Sequence, residues 1–398
     1  RHAEHAAKLA ADTSLDDPRL VARLHTLLTL TNNPRADTVW HEAEELGMSL
    51  PPQPTEPARQ ATPKETRHNL AQIMAPFVGR DEELRDLRRL LDDSARMLVI
   101  TGLGGMGKTR LALALARTLV EAGTYDQVYF VPLETAVSES DVLARMVSVM
   151  ALPTDQEPLA TLRDALWNNR TLLVLDDFEQ VAHAAPLLLE LLQECPHCRL
   201  VITSREPLGT LLEAHYPLSG LRLPGALSED MSRADLYGGL ELYELTAKRY
   251  DPRFALGPDN TESVLAICRM LAGSPLGIEL AAALARCLPA VELERMLAED
   301  LDALEGALPG MPERHAGLRA VFERSWGLLD PAEQAAIAAC SVFHGGFGRS
   351  DAAALLGLDL RRLAGLLDKG LVWRLGGRYD LHPLVKQYAR EKLAALPS

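Results

Sequence analysis

The chain has 398 residues, of which 47% are hydrophobic and 24% charged, and carries a formal net charge of −14. That length predicts two to four soluble globular domains with sizeable cores. The acidic balance argues against broad, sequence-independent nucleic-acid binding, though not against a local basic patch, and no apolar run approaches the roughly 18 residues of a membrane span.

The five cysteines are Cys195, Cys198, Cys268, Cys287 and Cys340. An odd, sparse set suits a reducing cytoplasm, the expected location. Cys195-Pro196-His197-Cys198 is half a zinc site with no second pair at suitable spacing, and reads as buried or loop thiols. No signal-peptide pattern opens the chain. Arg1-His2-Ala3-Glu4 enters directly into a helical pattern, as expected for a piece of a longer protein.

Residues 1–50 alternate apolar and polar groups at helical spacing, with Ala6, Leu9 and Ala10 on one face and Leu20, Leu24, Leu27 and Leu28 on another. Short helices joined by tight turns predict either a helical-hairpin repeat or a small bundle. Residues 51–68, with Pro51, Pro52, Pro54, Pro57 and Pro63, predict an extended linker.

Residues 69–225 have an α/β pattern. Pro76-Phe77-Val78-Gly79-Arg80 leads to Asp81, suited to cap a helix carrying Leu84, Leu87, Leu90 and Leu91. Met97-Leu98-Val99-Ile100-Thr101 reads as a buried strand. Then comes Gly102-Leu103-Gly104-Gly105-Met106-Gly107-Lys108-Thr109, which fits G-x-x-x-x-G-K-[ST] and runs into helix formers from Arg110 to Arg117. In this setting the glycines let backbone N–H groups turn onto phosphate oxygens, and the new helix adds its positive end. Lys108 is expected on the β- and γ-phosphates and Thr109 on Mg²⁺. Strands follow at Gln127 to Pro132, Leu172 to Asp177 and Leu200 to Arg205, with a short one near His215-Tyr216-Pro217-Leu218 whose proline predicts an edge or end position. Alternating strands and helices predict a parallel sheet covered on both faces, with ligands beyond the strands' carboxyl ends.

Those ends carry the remaining chemistry. Asp176 is expected to hold Mg²⁺, Asp177 and Glu179 to orient or deprotonate the attacking water, and Arg205 to sense the γ-phosphate. Adjacent carboxylates repel a triphosphate unless a divalent cation intervenes, so Mg²⁺ is implied. Without the glycine loop the same residues would read as surface carboxylates and a solvated arginine. Residues 226–315 are helical, interrupted at Gly273-Ser274-Pro275-Leu276-Gly277. Residues 316–398 combine helices with a strand, glycine turn and strand between Gly370 and Leu381, a winged-helix pattern.

The glycine loop, Leu173-Val174-Leu175-Asp176-Asp177, Thr203-Ser204-Arg205 and Gly273-Ser274-Pro275-Leu276, in this order and spacing, resemble STAND-class P-loop signalling ATPases of the NB-ARC-like branch. The nearest likeness is to the ATPase core of bacterial transcriptional regulators with a bacterial transcriptional activation domain. Phe77-Val78-Gly79-Arg80, Pro312-Glu313-Arg314-His315, Ser325-Trp326, Ser341 to Phe347 and Leu381-His382-Pro383-Leu384-Val385 look like further landmarks of that class. Glu44-Glu45-Leu46-Gly47 is similar to the end of an activation-domain repeat.

The resemblance implies an α/β P-loop domain, an all-α domain and a winged-helix domain closing together on ATP or ADP with Mg²⁺. It implies that Pro275, with Leu276 beside it, packs near the adenine, Val78 and Arg80 near base and ribose, and His382 on the β-phosphate. Gly102, Gly104, Gly105, Met106, Gly107 and Arg110 complete the expected nucleotide set. Pro383 stands where the family usually has Asp, so only the histidine's role carries over. Slow regulatory hydrolysis, self-association on activation, an inducer or regulatory domains outside this chain, and DNA contact only through a domain not in this chain follow from the same likeness. The rivals are the core of an NLR-like defence or cell-death NTPase, and a small-molecule kinase, for which no acceptor pocket is marked.

Overall fold

The computed structural model describes residues 66–71, 77–93, 95–154, 157–224, 237–299, 304, 318–343, 346–356, 358–375 and 377–394. The expected N-terminal helices, most of the proline-rich linker, Pro312 to His315 and His344-Gly345 lie outside them.

The first unit is a six-stranded, wholly parallel sheet in the order β1–β3–β4–β5–β2–β6. Its strands are β1 (Arg67–His68), β2 (Met97–Thr101), β3 (Gln127–Pro132), β4 (Thr171–Asp176), β5 (Cys198–Thr203) and β6 (Glu213–Pro217). Around them run α1 (Asp81–Asp92), α2 (Lys108–Glu121), α3 (Glu139–Val149), α4 (Pro158–Leu166) and α5 (Ala185–Glu194). Every residue of β2 and β4 is buried, as expected where helices cover both faces. The strand with Pro217 lies at the edge. Because β5 sits between β4 and β2, the segments that follow these three strands converge at one end.

One sequence expectation is corrected. Asp81 does not cap α1: the capping position is Arg80, with no side-chain cap bond, and Asp81 is the first helical residue. With Glu82 and Glu83 it puts negative charge on the helix's positive end instead.

The middle helices are α6 (Gly238–Tyr250), α7 (Thr261–Met270), α8 (Pro275–Ala283) and α9 (Ala290–Glu299). Ser274 caps α8 by accepting from the Gly277 N–H, and Pro275 supplies the first turn. The C-terminal region holds α10 (Leu318–Gly327), α11 (Pro331–Cys340), α12 (Arg349–Leu356), α13 (Leu360–Asp368), an antiparallel ribbon of β7 (Val372–Leu375) and β8 (Arg378–Leu381), and α14 (Pro383–Ala394). Phe347 bridges to Tyr379 on the ribbon.

Alternation along the strands sorts the core into two layers. Met97, Val99, Leu173, Leu175 and Ile202 pack with Phe178, Leu188 and Met146 on one face. Leu98, Ile100, Val174 and Val201 pack with Leu111 and Leu115 of α2 on the other, and this second core continues through Tyr243 and Ile278 to Ile337 and Phe347. The face bearing the glycine loop's helix is thus also the face on which the later helices build.

Candidate nucleotide site

Gly102, Gly105 and Gly107 hold φ of +146°, +79° and +85°, values that side chains make costly. A Cβ on Gly102 would stand 2.6 Å from the Leu218 carbonyl oxygen. Gly107 caps α2 in the left-handed conformation. Lys108 is buried, and its ammonium donates to the Gly102 and Leu103 carbonyls at 2.8 and 3.2 Å. Burial pulls its pKa down to about 8, against the opposing fields of Glu179, Asp177 and Asp176. A buried ammonium hydrogen-bonded to neutral carbonyls at a helix N-terminus suits an anion. The loop therefore fits a polyphosphate.

The strand ends meet beside it. Asp176 Oδ1 accepts from the hydroxyls of Thr109 (2.7 Å) and Thr203 (2.6 Å), and Thr203 Oγ1 accepts from the Asp177 N–H at 3.0 Å. Burial, then the neighbouring charge of Asp177, raises the Asp176 carboxyl to about 6. The Thr109 hydroxyl and Asp176 carboxylate are the oxygen donors that would hold Mg²⁺, an ion content with one or two protein ligands plus phosphate and water. When bound, Mg²⁺ neutralises phosphate charge.

Asp177 itself adopts φ 58° and ψ 44°, a left-handed position that Asp tolerates better than most residues. The turn of 3₁₀ helix that follows, Phe178–Ala184, aims Glu179 at Arg205: Arg205 Nε pairs with Glu179 Oε1 at 3.0 Å, and Arg205 Nη1 donates to Ser325 Oγ at 2.7 Å. Both charged side chains are largely buried, and burial lowers the arginine's pKa while Glu179 opposes the shift. Ser325 belongs to α10, so the C-terminal region reaches the arginine expected to sense the terminal phosphate.

A narrow cleft with a cavity volume of about 30 Å³ opens beside the loop. Val78, Arg80, Met106, Gly107, Arg110 and Pro275, all from the expected nucleotide set, line it, together with Phe77, Leu221 and Leu242, which are outside that set. The Arg80 guanidinium is engaged with protein: it donates to the Met106 and Ser219 carbonyls at 3.3 and 2.7 Å and pairs with Glu83. Arg110 pairs with Glu279 of α8 at 3.1 Å. Leu276 packs under the loop, its N–H donating to Gly105 O at 3.3 Å; Gly104 lies within the same loop.

His382 is buried between the ribbon and α14. Its ring lies 5.3 Å from that of Trp373, its backbone N–H donates to Leu371 O at 3.0 Å, and its ring Nδ1 has no partner among the described residues. Burial pushes its pKa down to about 4, so the ring is neutral. Leu371 follows Gly370, where an added Cβ would stand 3.6 Å from Gly102 Cα. His382 is thereby linked to the glycine loop through Leu371.

Cys195 and Cys198 are buried free thiols. Burial raises both pKa values, Cys198 to about 12. Among the described residues no cluster of metal-ligating side chains forms around them or elsewhere.

With the sheet order, the loop and the hydroxyl–carboxylate pair in this relation, the chain carries a P-loop ATPase domain, and residues 76–202 match the family model described as AAA ATPase domain. An uncharacterized protein of Mycobacterium tuberculosis is 33% identical over 343 residues, covering 82% of this chain and 84% of its own length. The chain belongs to the same family as that mycobacterial protein. A second protein of that organism, named as a candidate HTH-type transcriptional regulator, is 33% identical over 321 residues, which cover 77% of this chain but only 35% of the regulator. Among solved structures, a Walker-type ATPase of Pyrococcus abyssi shares the fold at a TM-score of 0.52 and 13% identity, over 83% of this chain and 99% of that one. Among the described residues no helix is long and apolar enough to cross a membrane.

Proposed function

We propose that this chain is a nucleotide-dependent signalling switch of the STAND type, the regulatory core of a bacterial transcriptional regulator. ATP or ADP binds at the glycine loop with Mg²⁺ on Thr109 and Asp176; Val78, Pro275 and Leu276 lie on the base side, and Lys108, Asp177, Glu179 and Arg205 on the phosphate side. Slow hydrolysis resets the switch. The C-terminal region acts as a winged-helix lever, a reading supported by the Phe347–Tyr379 bridge beside the ribbon. DNA contact belongs to a domain outside this chain, as the acidic balance favours, and self-association follows activation. The likeness to a much longer candidate regulator supports the transcriptional setting.

The observation that carries this reading is that two later regions approach one loop: Leu276 bonds Gly105, and a Cβ added to Gly370 would come within 3.6 Å of Gly102 Cα. A loop closed from both sides can report which phosphate it holds. The test is to denature purified protein and identify the released nucleotide, then to measure ADP dissociation from wild type and His382→Ala. Faster ADP release from the variant supports the switch. No bound nucleotide, and no binding at saturating ATP and Mg²⁺, would sink it.

A further inference from the structure

We propose that Glu179, and not the adjacent Asp177, holds the attacking water, and that Ser325 is a positioning residue that fixes Glu179 through Arg205. This rests on the ATPase reading above and adds which carboxylate acts and what controls it.

The geometry separates the two carboxylates. The Glu179 side chain is 2% exposed. Its Oε1 is held by Arg205 Nε, while Oε2 is buried with no hydrogen-bond partner among the described residues. A buried carboxylate oxygen left unpartnered is costly unless water or ligand completes it. Asp177 is half-buried, and its backbone is occupied with Thr203. Of the three nearby carboxylates, Glu179 exerts the strongest field on the Lys108 ammonium, ahead of Asp177 and Asp176. The free oxygen therefore belongs to the carboxylate most strongly coupled to the phosphate-binding lysine.

A salt-bridged carboxylate is a weak base, but phosphoryl transfer through a loose transition state asks chiefly for orientation. The water oxygen bonds to the terminal phosphorus as the bond to the bridging oxygen breaks, its electron pair leaving on ADP. The water's proton passes to Glu179 Oε2 and then to the released phosphate. Arg205 fixes the rotation of the carboxylate, and the 2.7 Å bond to Ser325 fixes Arg205. Since Ser325 lies in α10, lifting the C-terminal region frees the arginine and slows hydrolysis. The timer then runs only while the protein is closed.

The test is single-turnover ATP hydrolysis alongside ATP and ADP affinities. Glu179→Gln is expected to slow hydrolysis about a hundredfold at near-constant affinity, and Asp177→Asn by less than about fivefold. Ser325→Ala is expected to slow it about three- to tenfold, with Ser325→Thr restoring the rate. In the Glu179→Gln background Ser325→Ala should add nothing, whereas a merely structural role would slow both backgrounds alike. Asp177→Asn being the silent enzyme while Glu179→Gln turns over would overturn the assignment. Additive slowing by Ser325→Ala would overturn the relay. A wild type that binds ATP without ever hydrolysing it would instead remove the ATPase reading beneath both.

Discussion

The two regions that close on the glycine loop do so by different means. The middle helices dock chiefly through close backbone approach, with the Arg110–Glu279 ion pair added at 3.1 Å. Gly220 sits so close to the Ala272 carbonyl that a Cβ would come within 2.0 Å of it, Gly273 would meet Leu221 O at 2.4 Å, and Gly79 would meet Gly238 Cα at 2.4 Å. The C-terminal region docks through side chains: Arg205 to Ser325, and Lys369 to Glu206 at 3.7 Å. At its Gly370 even an added Cβ would make only ordinary van der Waals contact with the loop, 3.6 Å from Gly102 Cα. Interlocked backbones cannot separate without rebuilding a turn, whereas a few polar side chains can exchange partners. On the proposed switch reading, the difference favours the middle helices as the fixed part of the nucleotide-binding body and the C-terminal region as the part that moves.

The largest expected effect falls on the loop both regions share. Lys108→Ala removes two or more charge-assisted contacts to phosphate, each worth about 1.5–3 kcal/mol, so nucleotide affinity should fall by roughly 10²- to 10⁴-fold. Calorimetric titration with ADP checks it; unchanged affinity would remove the phosphate assignment. Next is Gly273→Ala, which meets both φ +68° and the Leu221 carbonyl. A loss of about 2–4 kcal/mol in unfolding free energy is expected, with weaker ADP binding because Leu276 no longer lies squarely under Gly105. A stability close to wild type would mean the middle helices are as loosely held as the C-terminal region, and the contrast would fail.

The same contrast governs what could be read from sequence. The loop was readable because its chemistry lies in eight consecutive residues, and Asp176 because its strand is uniformly apolar before it. Pro275 and Val78 came from family likeness, and both line the cleft. Leu221 and Leu242 carry no sequence signal because an apolar side chain lining a cleft is indistinguishable, by pattern, from one in a core. In sequence Ser325 stands only as a family landmark: its partner lies 120 residues away, and no local periodicity encodes such a meeting. Asp81 looked like a helix cap because the residue type is right, but helix geometry begins one residue earlier.

Acid should act oppositely on the two sides of the loop. His382 has its pKa lowered to about 4, so the folded protein binds fewer protons there than the unfolded chain between about pH 4 and 6.5. Its neutral form contributes stability above that window, and the contribution is lost as pH falls through it, up to about 3 kcal/mol. Asp176, raised to about 6 in the metal-free protein, behaves conversely: the folded state binds the extra proton, so stability falls as pH rises from about 4 to 6. The global curve partly cancels, and the difference between wild type and His382→Phe isolates the histidine. That difference should shrink steadily from pH 7 to pH 4.5 in denaturant titrations. A difference independent of pH would show that His382 does not titrate with unfolding.

The smallest effect tests whether the C-terminal contact is held at one point or two. Lys369 bonds Glu333 within its own region, at 2.9 and 3.0 Å to the two oxygens, while Glu206 across the boundary is 3.7 Å away and about a third exposed. Glu333 also closes the capping box of α11 with Asp330. Ion pairs that are partly solvated and long contribute at most about 0.5 kcal/mol and fade with salt. Glu206→Ala should therefore change ADP release by less than about twofold, while Glu333→Ala costs about 1–2 kcal/mol of stability through the lost cap and the orphaned lysine. Stopped-flow release of a fluorescent ADP at low and high salt makes the measurement. If Glu206→Ala accelerated release as strongly as His382→Ala and the effect vanished in high salt, the boundary would be held chiefly by Lys369, and the Arg205–Ser325 bond would no longer be the contact that decides when the C-terminal region lifts.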